Sequence, residues 1–184
     1  MDTTVRPFDD SDPPGLWAVY YAAVHQTAAA HYTAEQLDAW APADFDQEKW
    51  QHRLRDLSPF VAERGGVLVG YADLQPSGYI DHFFVSPAVA RQGVGSLLME
   101  AIHRSAASNQ LGSLFADVSL TARPFFERWG FTVEEETSLL VRGCSLKNFR
   151  MTKRLVIVAI TNPRSPKRHS TRVGVKGSER NKTA

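Results

Sequence analysis

The chain has 184 residues, 43% of them hydrophobic, with ten Phe, four Trp and a formal net charge of +1. This length suits one domain with a sizeable core, and the apolar content excludes a wholly disordered chain. The single cysteine, Cys144, excludes an internal disulfide and a cysteine-based metal site, and it fits a reducing cytoplasm. The opening Met1-Asp-Thr-Thr-Val-Arg6 lacks a basic region followed by an apolar run, so no secretory leader is expected. The apolar run Leu155–Ile160 is too short to span a membrane.

Thr3–Phe8 reads as a first strand, and Asp9–Gly15 is rich in turn formers. Leu16, Val19, Tyr20, Ala23 and Val24 recur at helical spacing, which predicts a helix over Pro14–Ala30. Thr33 and Gln36 have the spacing of a capping box for a short helix ending near Pro42, and Asp46 is placed to cap a third helix through about Leu57. Trp17 and Trp50 read as core residues. Phe60–Glu63 and Val67–Leu74 form a hairpin across Arg64-Gly65-Gly66, and Pro76-Ser-Gly78 turns into a central strand, Gly78–Ser86. Pro87 stops that strand. A helix over Ser96–Asn109 follows, then a strand over Leu114–Val118 and a short helix over Arg123–Trp129. Phe131–Val141 and Ser145–Lys153 close the fold as a hairpin through Arg142-Gly143. The sum is an α/β fold, a mixed and mainly antiparallel sheet with helices on both faces, over residues 1–160.

Residues 161–184 carry seven basic residues against one acidic, a net +6 that leaves −5 for the rest. Few apolar residues interrupt them, so this tail is expected to be disordered. A weak contact with nucleic acid or another polyanion is the sharper reading, although no aromatic residue interleaves the charges.

The chemistry concentrates in His82–Met99. Gly93 and Gly95 open a helix directly after the central strand. A helix start offers unpaired N–H groups and the positive end of the macrodipole, so Gln92, Gly93, Val94, Gly95 and Ser96 form a candidate phosphate cradle. The Gly-Lys-Ser/Thr of a nucleotide-binding loop is missing, as is the third glycine of a dinucleotide fingerprint. The order Val85-Ser-Pro87, then Gly93-Val-Gly95, then Ala122-Arg-Pro-Phe-Phe-Glu-Arg-Trp-Gly-Phe131 resembles the GNAT superfamily of acyl-CoA-dependent N-acetyltransferases. That family carries V-x-P, Q/R-x-x-G-x-G/A and A-x-x-F-Y-E-x-x-G-F. The resemblance covers roughly residues 3–153, with Ala90 at the Q/R position and Phe126 at the tyrosine position. His31–Pro42 and Asn148-Phe149-Arg150-Met151 are similar to a bacterial subgroup of mostly uncharacterised members.

The resemblance implies acetyl-CoA as co-substrate, without a metal. Its pyrophosphate would lie on the 92–96 cradle with Arg91 and Gln92 as side-chain donors. Its pantetheine would pair with the backbone of Phe84 and Val85, and the Val85 N–H would stabilise the oxyanion. The acceptor would be a primary amine of a small molecule or peptide. It arrives as an ammonium of pKa ~10 and must lose a proton. Asp81 is the first candidate base and His82 the second; Tyr79, Asp81, Phe83 and Val85 are expected on one strand face and Ile80, His82 and Phe84 on the other. Phe126 has no proton for the departing thiolate; Ser119 or Thr121 is placed to orient water or touch the CoA arm. Tyr32 and Trp40 are candidate walls of the acceptor pocket, with Tyr79 facing the substrate, and Arg150 would recognise a carboxylate or pair with an acidic neighbour. Transfer through Cys144 is disfavoured by its place in the final hairpin. A non-catalytic acyl-CoA-binding or regulatory module is the alternative that Phe126 suggests. The sequence leaves the acceptor and the oligomeric state, a homodimer included, open.

Overall fold

The computed structural model describes residues 2–156. The basic tail and the proposed domain end at residue 160 lie outside the described residues.

Two four-stranded sheets form the frame. The first has the order β1 (Thr3–Pro7), β2 (Phe60–Arg64), β3 (Val67–Ala72), β5 (Phe83–Val85), antiparallel throughout. The second has the order β4 (Tyr79–Ile80), β6 (Ser113–Ser119), β8 (Cys144–Arg154), β7 (Thr132–Val141). Its β4–β6 pair is parallel and its other pairs antiparallel. Helices α1 (Pro13–Ala22), α2 (Ala34–Trp40) and α3 (Gln47–Leu57) cover one face, where Leu16, Leu54, Val61 and Tyr71 share a core. Helices α4 (Val94–Ser108) and α5 (Arg123–Arg128) cover the other, where Leu98, Met99 and Ile102 meet Ala116 and Met151. The mixed α/β architecture with helices on both faces is as expected.

Local chemistry sets the element ends. Thr33 and Gln36 form the capping box of α2, with the Gln36 N–H donating to Thr33 Oγ1 at 3.3 Å and the Thr33 N–H to Gln36 Oε1 at 2.8 Å. Asp46 caps α3 by accepting the Lys49 N–H at 3.0 Å. Three expectations change. The helix foreseen over 14–30 is α1 followed by a wide π turn, Ala23–Thr27, and a tight 3-10 turn, Ala28–Ala30. One turn with an added residue does not disturb the apolar spacing enough to be read from sequence. Helix α4 starts two residues early because Gly93, at φ 87°, is its N-cap, which puts Gly95 inside the first turn.

The third change matters most for the site. The expected central strand 78–86 is two strands in different sheets, broken at Asp81-His82. The buried Asp73, just after β3, causes the break. Its Oδ1 accepts the N–H of Asp81 at 3.1 Å and of His82 at 2.6 Å, and burial raises its pKa. The alternation of faces does not survive the break: Ile80 joins Phe83 and Val85 on the α4 side, while His82 stacks on Tyr20 and lies tilted against Trp50 on the α1–α3 side.

Candidate active site

No ladder joins β5 to β6, so the two sheets splay apart around a cavity of about 760 Å³. The register of β5 decides which backbone groups face it. The Asp73 N–H donates to the His82 carbonyl and the Ser86 N–H to the Val69 carbonyl. Antiparallel bonding alternates, so Phe84 is the next bonded partner, opposite Tyr71, while the backbone groups of Phe83 and Val85 turn to the cleft. Val85 thus turns its backbone to the cleft, whereas the Phe84 backbone, expected to pair with a ligand, is spent within the sheet and Phe84 contributes its ring instead, edge-on to Tyr20 at 4.7 Å.

At one end of the cleft lies the start of α4. The first helical bond runs from the Leu97 N–H to the Gly93 carbonyl, so the N–H groups of residues 93–96 have no intrahelical partner. Arg91, at φ 60°, and Gly93 both adopt the left-handed conformation that curls a chain into an anion-binding nest. A side chain on Gly93 would meet nothing within 4 Å, whereas one on Gly95 would meet the Phe125 ring at 3.2 Å. Gly95 therefore permits α4 to pack on α5, and Gly93 permits the turn. The Val94 side chain is buried in the core, so only its backbone can serve a ligand. Gln92 does not line the cleft: its Oε1 accepts from Arg64 and its Nε2 faces the Ala88 carbonyl at 3.5 Å. Arg91 does line it, joined by Arg128 at the end of α5, which the sequence reading missed.

The opposite wall carries Ser119 and Thr121. Ser119 Oγ accepts the Ala122 N–H at 3.2 Å and so braces the turn into α5. Thr121 Oγ1 is buried without a hydrogen-bond partner. Phe126 is core, packed edge-on against Phe83 and Phe131.

A second cavity, of about 620 Å³, opens among α1, α2 and α3. Trp17 and Phe45 stack at 3.6 Å on its wall, and Tyr20, Trp40 and Trp50 complete an aromatic lining. Trp17 and Trp50 are thus walls as well as core. Trp40 borders both cavities and is the partition between them. Tyr32 is not a wall: it is buried, and its hydroxyl accepts the Leu120 N–H at 3.0 Å and donates to the Lys147 carbonyl at 2.7 Å. Tyr79 also lies off both cavities and donates to Asp117 at 3.1 Å. Arg150 holds the same Asp117 by two bonds of 2.8 and 2.9 Å, so its partner is the acidic neighbour.

His82 reaches the second cavity from the strand break. Burial lowers its pKa to about 4, against a raising effect from Asp81, so the ring is neutral at neutral pH. Its Nδ1 is 3.0 Å from the hydroxyl of Tyr71, which is fully buried and pushed well above its ordinary pKa by that burial. That hydroxyl has no other acceptor among the described residues and therefore donates. The ring proton is then on Nε2, 3.7 Å from Asp81 Oδ2. Asp81 is in turn paired with Arg53, which lines the aromatic cavity.

Residues 28–153 match the family described as the acetyltransferase (GNAT) domain. This chain belongs to the GNAT family. It is 34% identical over 147 residues to YafP, an uncharacterized N-acetyltransferase of Escherichia coli K12, covering 80% of this chain and 93% of that protein. Among solved structures, a GCN5-related N-acetyltransferase from Rhodopseudomonas palustris superposes with a TM-score of 0.80 at 31% identity, covering 84% of this chain and 97% of that one. YncA of Salmonella typhimurium, solved with acetyl-CoA, shares the fold at a TM-score of 0.62 and 20% identity, with 85% of this chain and 95% of that one covered. The GNAT chain described here is accordingly an acetyl-CoA-dependent N-acetyltransferase whose acceptor these relatives leave unspecified. Of the expected site residues, the GNAT cleft gathers Phe84, Val85, Arg91, Gly93, Val94, Gly95, Ser96 and Ser119, with Trp40 at its junction with the aromatic cavity that His82 lines. Gln92, Tyr32 and Tyr79 stand apart, and Asp81 is reached only through His82 and Arg53. Among the described residues no helix is long and apolar enough to cross a membrane, and no cluster of His, Cys, Asp or Glu is arranged to hold a metal.

Proposed function

We propose that acetyl-CoA occupies the cleft between the sheets and that a primary amine, on a small molecule or a peptide, enters through the aromatic cavity and attacks the acetyl group directly. The observation that carries this reading is the meeting of the two cavities at Trp40, beside a strand whose Val85 N–H faces the cleft. The pyrophosphate would rest on the N–H groups of residues 93–96, with Arg91 and Arg128 adding charge. Bound there, acetyl-CoA supplies an activated thioester, and the Val85 N–H is the donor placed for its carbonyl oxygen.

The aromatic lining favours a cationic acceptor at the entrance. His82, neutral, does not repel it. The basic nitrogen of His82 is tied to Tyr71, which leaves Asp81, held by its ion pair with Arg53, as the proposed proton acceptor. Direct transfer is also favoured by Cys144, which lines neither cavity and whose thiol pKa is raised by desolvation and by Glu35. A reducing cytoplasm suits this single thiol.

An acetylation assay over a panel of primary amines tests the proposal. CoA release with at least one amine is expected, and tight acetyl-CoA binding with no turnover on any of them would sink it. Asp81→Asn is expected to lower kcat about a hundredfold, the lower end of general-base contributions, while acetyl-CoA affinity is kept. An unchanged kcat removes Asp81 from the mechanism.

A further inference from the structure

Lys153, near the end of β8, and His103, on α4, meet outside both cavities, with Lys153 Nζ 2.7 Å from His103 Nε2. Lys153 has no carboxylate partner among the described residues, whereas Lys49 and Lys147 pair with Asp46 and Glu136. The helix places the ring proton. His103 Nδ1 lies 2.8 Å from the Met99 carbonyl, one turn earlier. A carbonyl only accepts, so Nδ1 donates to it, and the lone pair of the neutral ring is on Nε2, facing Lys153.

Trp129 dries one side of the pair. Its ring lies tilted against His103 with centroids 5.4 Å apart, and Lys153 Nζ is 6.0 Å from its centroid. Burial lowers the pKa of His103, so the ring is neutral and its lone pair free at neutral pH; desolvation also lowers that of Lys153. Another side is uncovered. Lys153 is only half-buried, and it lies over Gly130, where an added Cβ would stand 3.9 Å from Nζ. A nucleophile, a base in hydrogen-bond contact with it and a third group orienting that base are the parts of an activated nucleophile.

We infer that Lys153 is a modification site of this protein, whose Nζ takes the acetyl group of acetyl-CoA from solution with His103 as its base. The Lys153 ammonium first passes a proton to His103 Nε2, which hands it to solvent. The free amine then bonds to the acetyl carbon and gives up a second proton by the same route. The carbon–sulfur bond breaks, its electron pair leaves on sulfur, and the thiolate takes a proton from solvent. The products are an uncharged acetyl-lysine and CoA. The step needs no occupied cleft, so it stands or falls apart from the reading of the cleft given above.

The experiment incubates the full chain with acetyl-CoA and no acceptor amine, at two protein concentrations, and follows each lysine by peptide mass spectrometry. Lys49 and Lys147 serve as controls within the same molecule. Lys153 is expected to be acetylated at least about tenfold faster than either, a cautious share of what a positioned base contributes. Its rate per site should be the same at both protein concentrations. His103→Gln removes the base and should slow Lys153 at least about tenfold, with Lys49 and Lys147 unchanged as the sign of an intact fold.

Acetylation of Lys153 no faster than that of the two controls would overturn the inference. So would an unchanged Lys153 rate in His103→Gln, which leaves the histidine a purely structural partner. A rate that grows with protein concentration would overturn it too, because the acetyl group would then be delivered by the cleft of a second copy. Should His103→Gln not fold, the ranking of the three lysines in the parent decides alone.

Discussion

His82 makes the site sensitive to acid through the stability of the fold. Burial lowers its pKa from 6.5 to about 4, so the unfolded chain binds a proton that the folded chain refuses. Stability then rises with pH between about 4 and 6.5 and is lost as pH falls through that window. From pH 7 to pH 5 this one ring should cost about 2 kcal/mol. His103, also lowered by burial, adds loss of the same sign. Chemical denaturation at both pH values should therefore show a smaller acid loss in His82→Gln than in the parent, by about that amount. Equal losses in the two proteins would mean that His82 titrates in the folded chain as it does in the unfolded one. At this scale the sequence was informative about Asp81 and His82 as a pair, because few polar residues interrupt that apolar stretch. It was silent on Arg53 and Arg128. A single arginine on a helix carries no pattern, and only folding brings these to a cavity wall. Tyr32 and Trp40 looked alike in sequence, as aromatic residues flanking one short helix. A hydroxyl within reach of two backbone groups makes the first structural, and the open space beside the second makes it a wall.

At the scale of elements, the break between β4 and β5 is what makes a cleft. Gly78 holds the entry to it. At φ +90°, an added Cβ would lie 2.3 Å from the Ser113 carbonyl oxygen, and the Gly78 carbonyl accepts the Phe115 N–H at 3.0 Å. Backbone strain and a clash with backbone coincide there, so Gly78→Ala should cost about 3 kcal/mol or more. Gly66 is the control. It too has positive φ, +80°, but nothing lies within 4 Å of its would-be Cβ, so Gly66→Ala should cost only about 1 kcal/mol, from strain alone. Urea titration of the two variants checks the ranking, and a Gly78→Ala loss as small as that of Gly66→Ala would show that β4 can shift away from β6. Caps and turns were the most legible features of the sequence: Thr33 with Gln36, Asp46, and the Arg142-Gly143 turn all act within a few residues. The strand break was not legible, because its cause is Asp73, a residue from the preceding hairpin whose carboxylate takes the two N–H groups at the break. The π turn after α1 escaped for a related reason, since apolar periodicity averages over a single widened turn.

The whole molecule faces a tension between an open cleft and one stable fold. The order of motifs identified the family and its mixed α/β architecture, but nothing in one sequence marks where a sheet divides. Both halves are apolar strands of ordinary composition. What prevents the halves from behaving as separate units is the core beneath the cleft. Ala62 and Ala72 from the first sheet and Leu114, Ala116, Val118, Phe149 and Met151 from the second belong to one cluster with Leu98, Met99 and Ile102 of α4. Helix α4 therefore ties the sheets together while its first turn stays free for a ligand. Ile102, fully buried at the centre of that cluster, should report on the tie. Truncation to alanine is expected to remove about 2–5 kcal/mol. Because the cluster is shared, that loss should fall on both sheets together. Tryptophan fluorescence, dominated by Trp17, Trp40 and Trp50 on the α1–α3 side, should then follow the same unfolding curve as far-ultraviolet circular dichroism, in the parent and in Ile102→Ala alike. CoA at about a hundred times its Kd should shift both curves by the same amount, about 2.7 kcal/mol. Two separated transitions in Ile102→Ala, with only one responding to CoA, would show instead that the sheets unfold independently and that the cleft is held by its ligand rather than by α4.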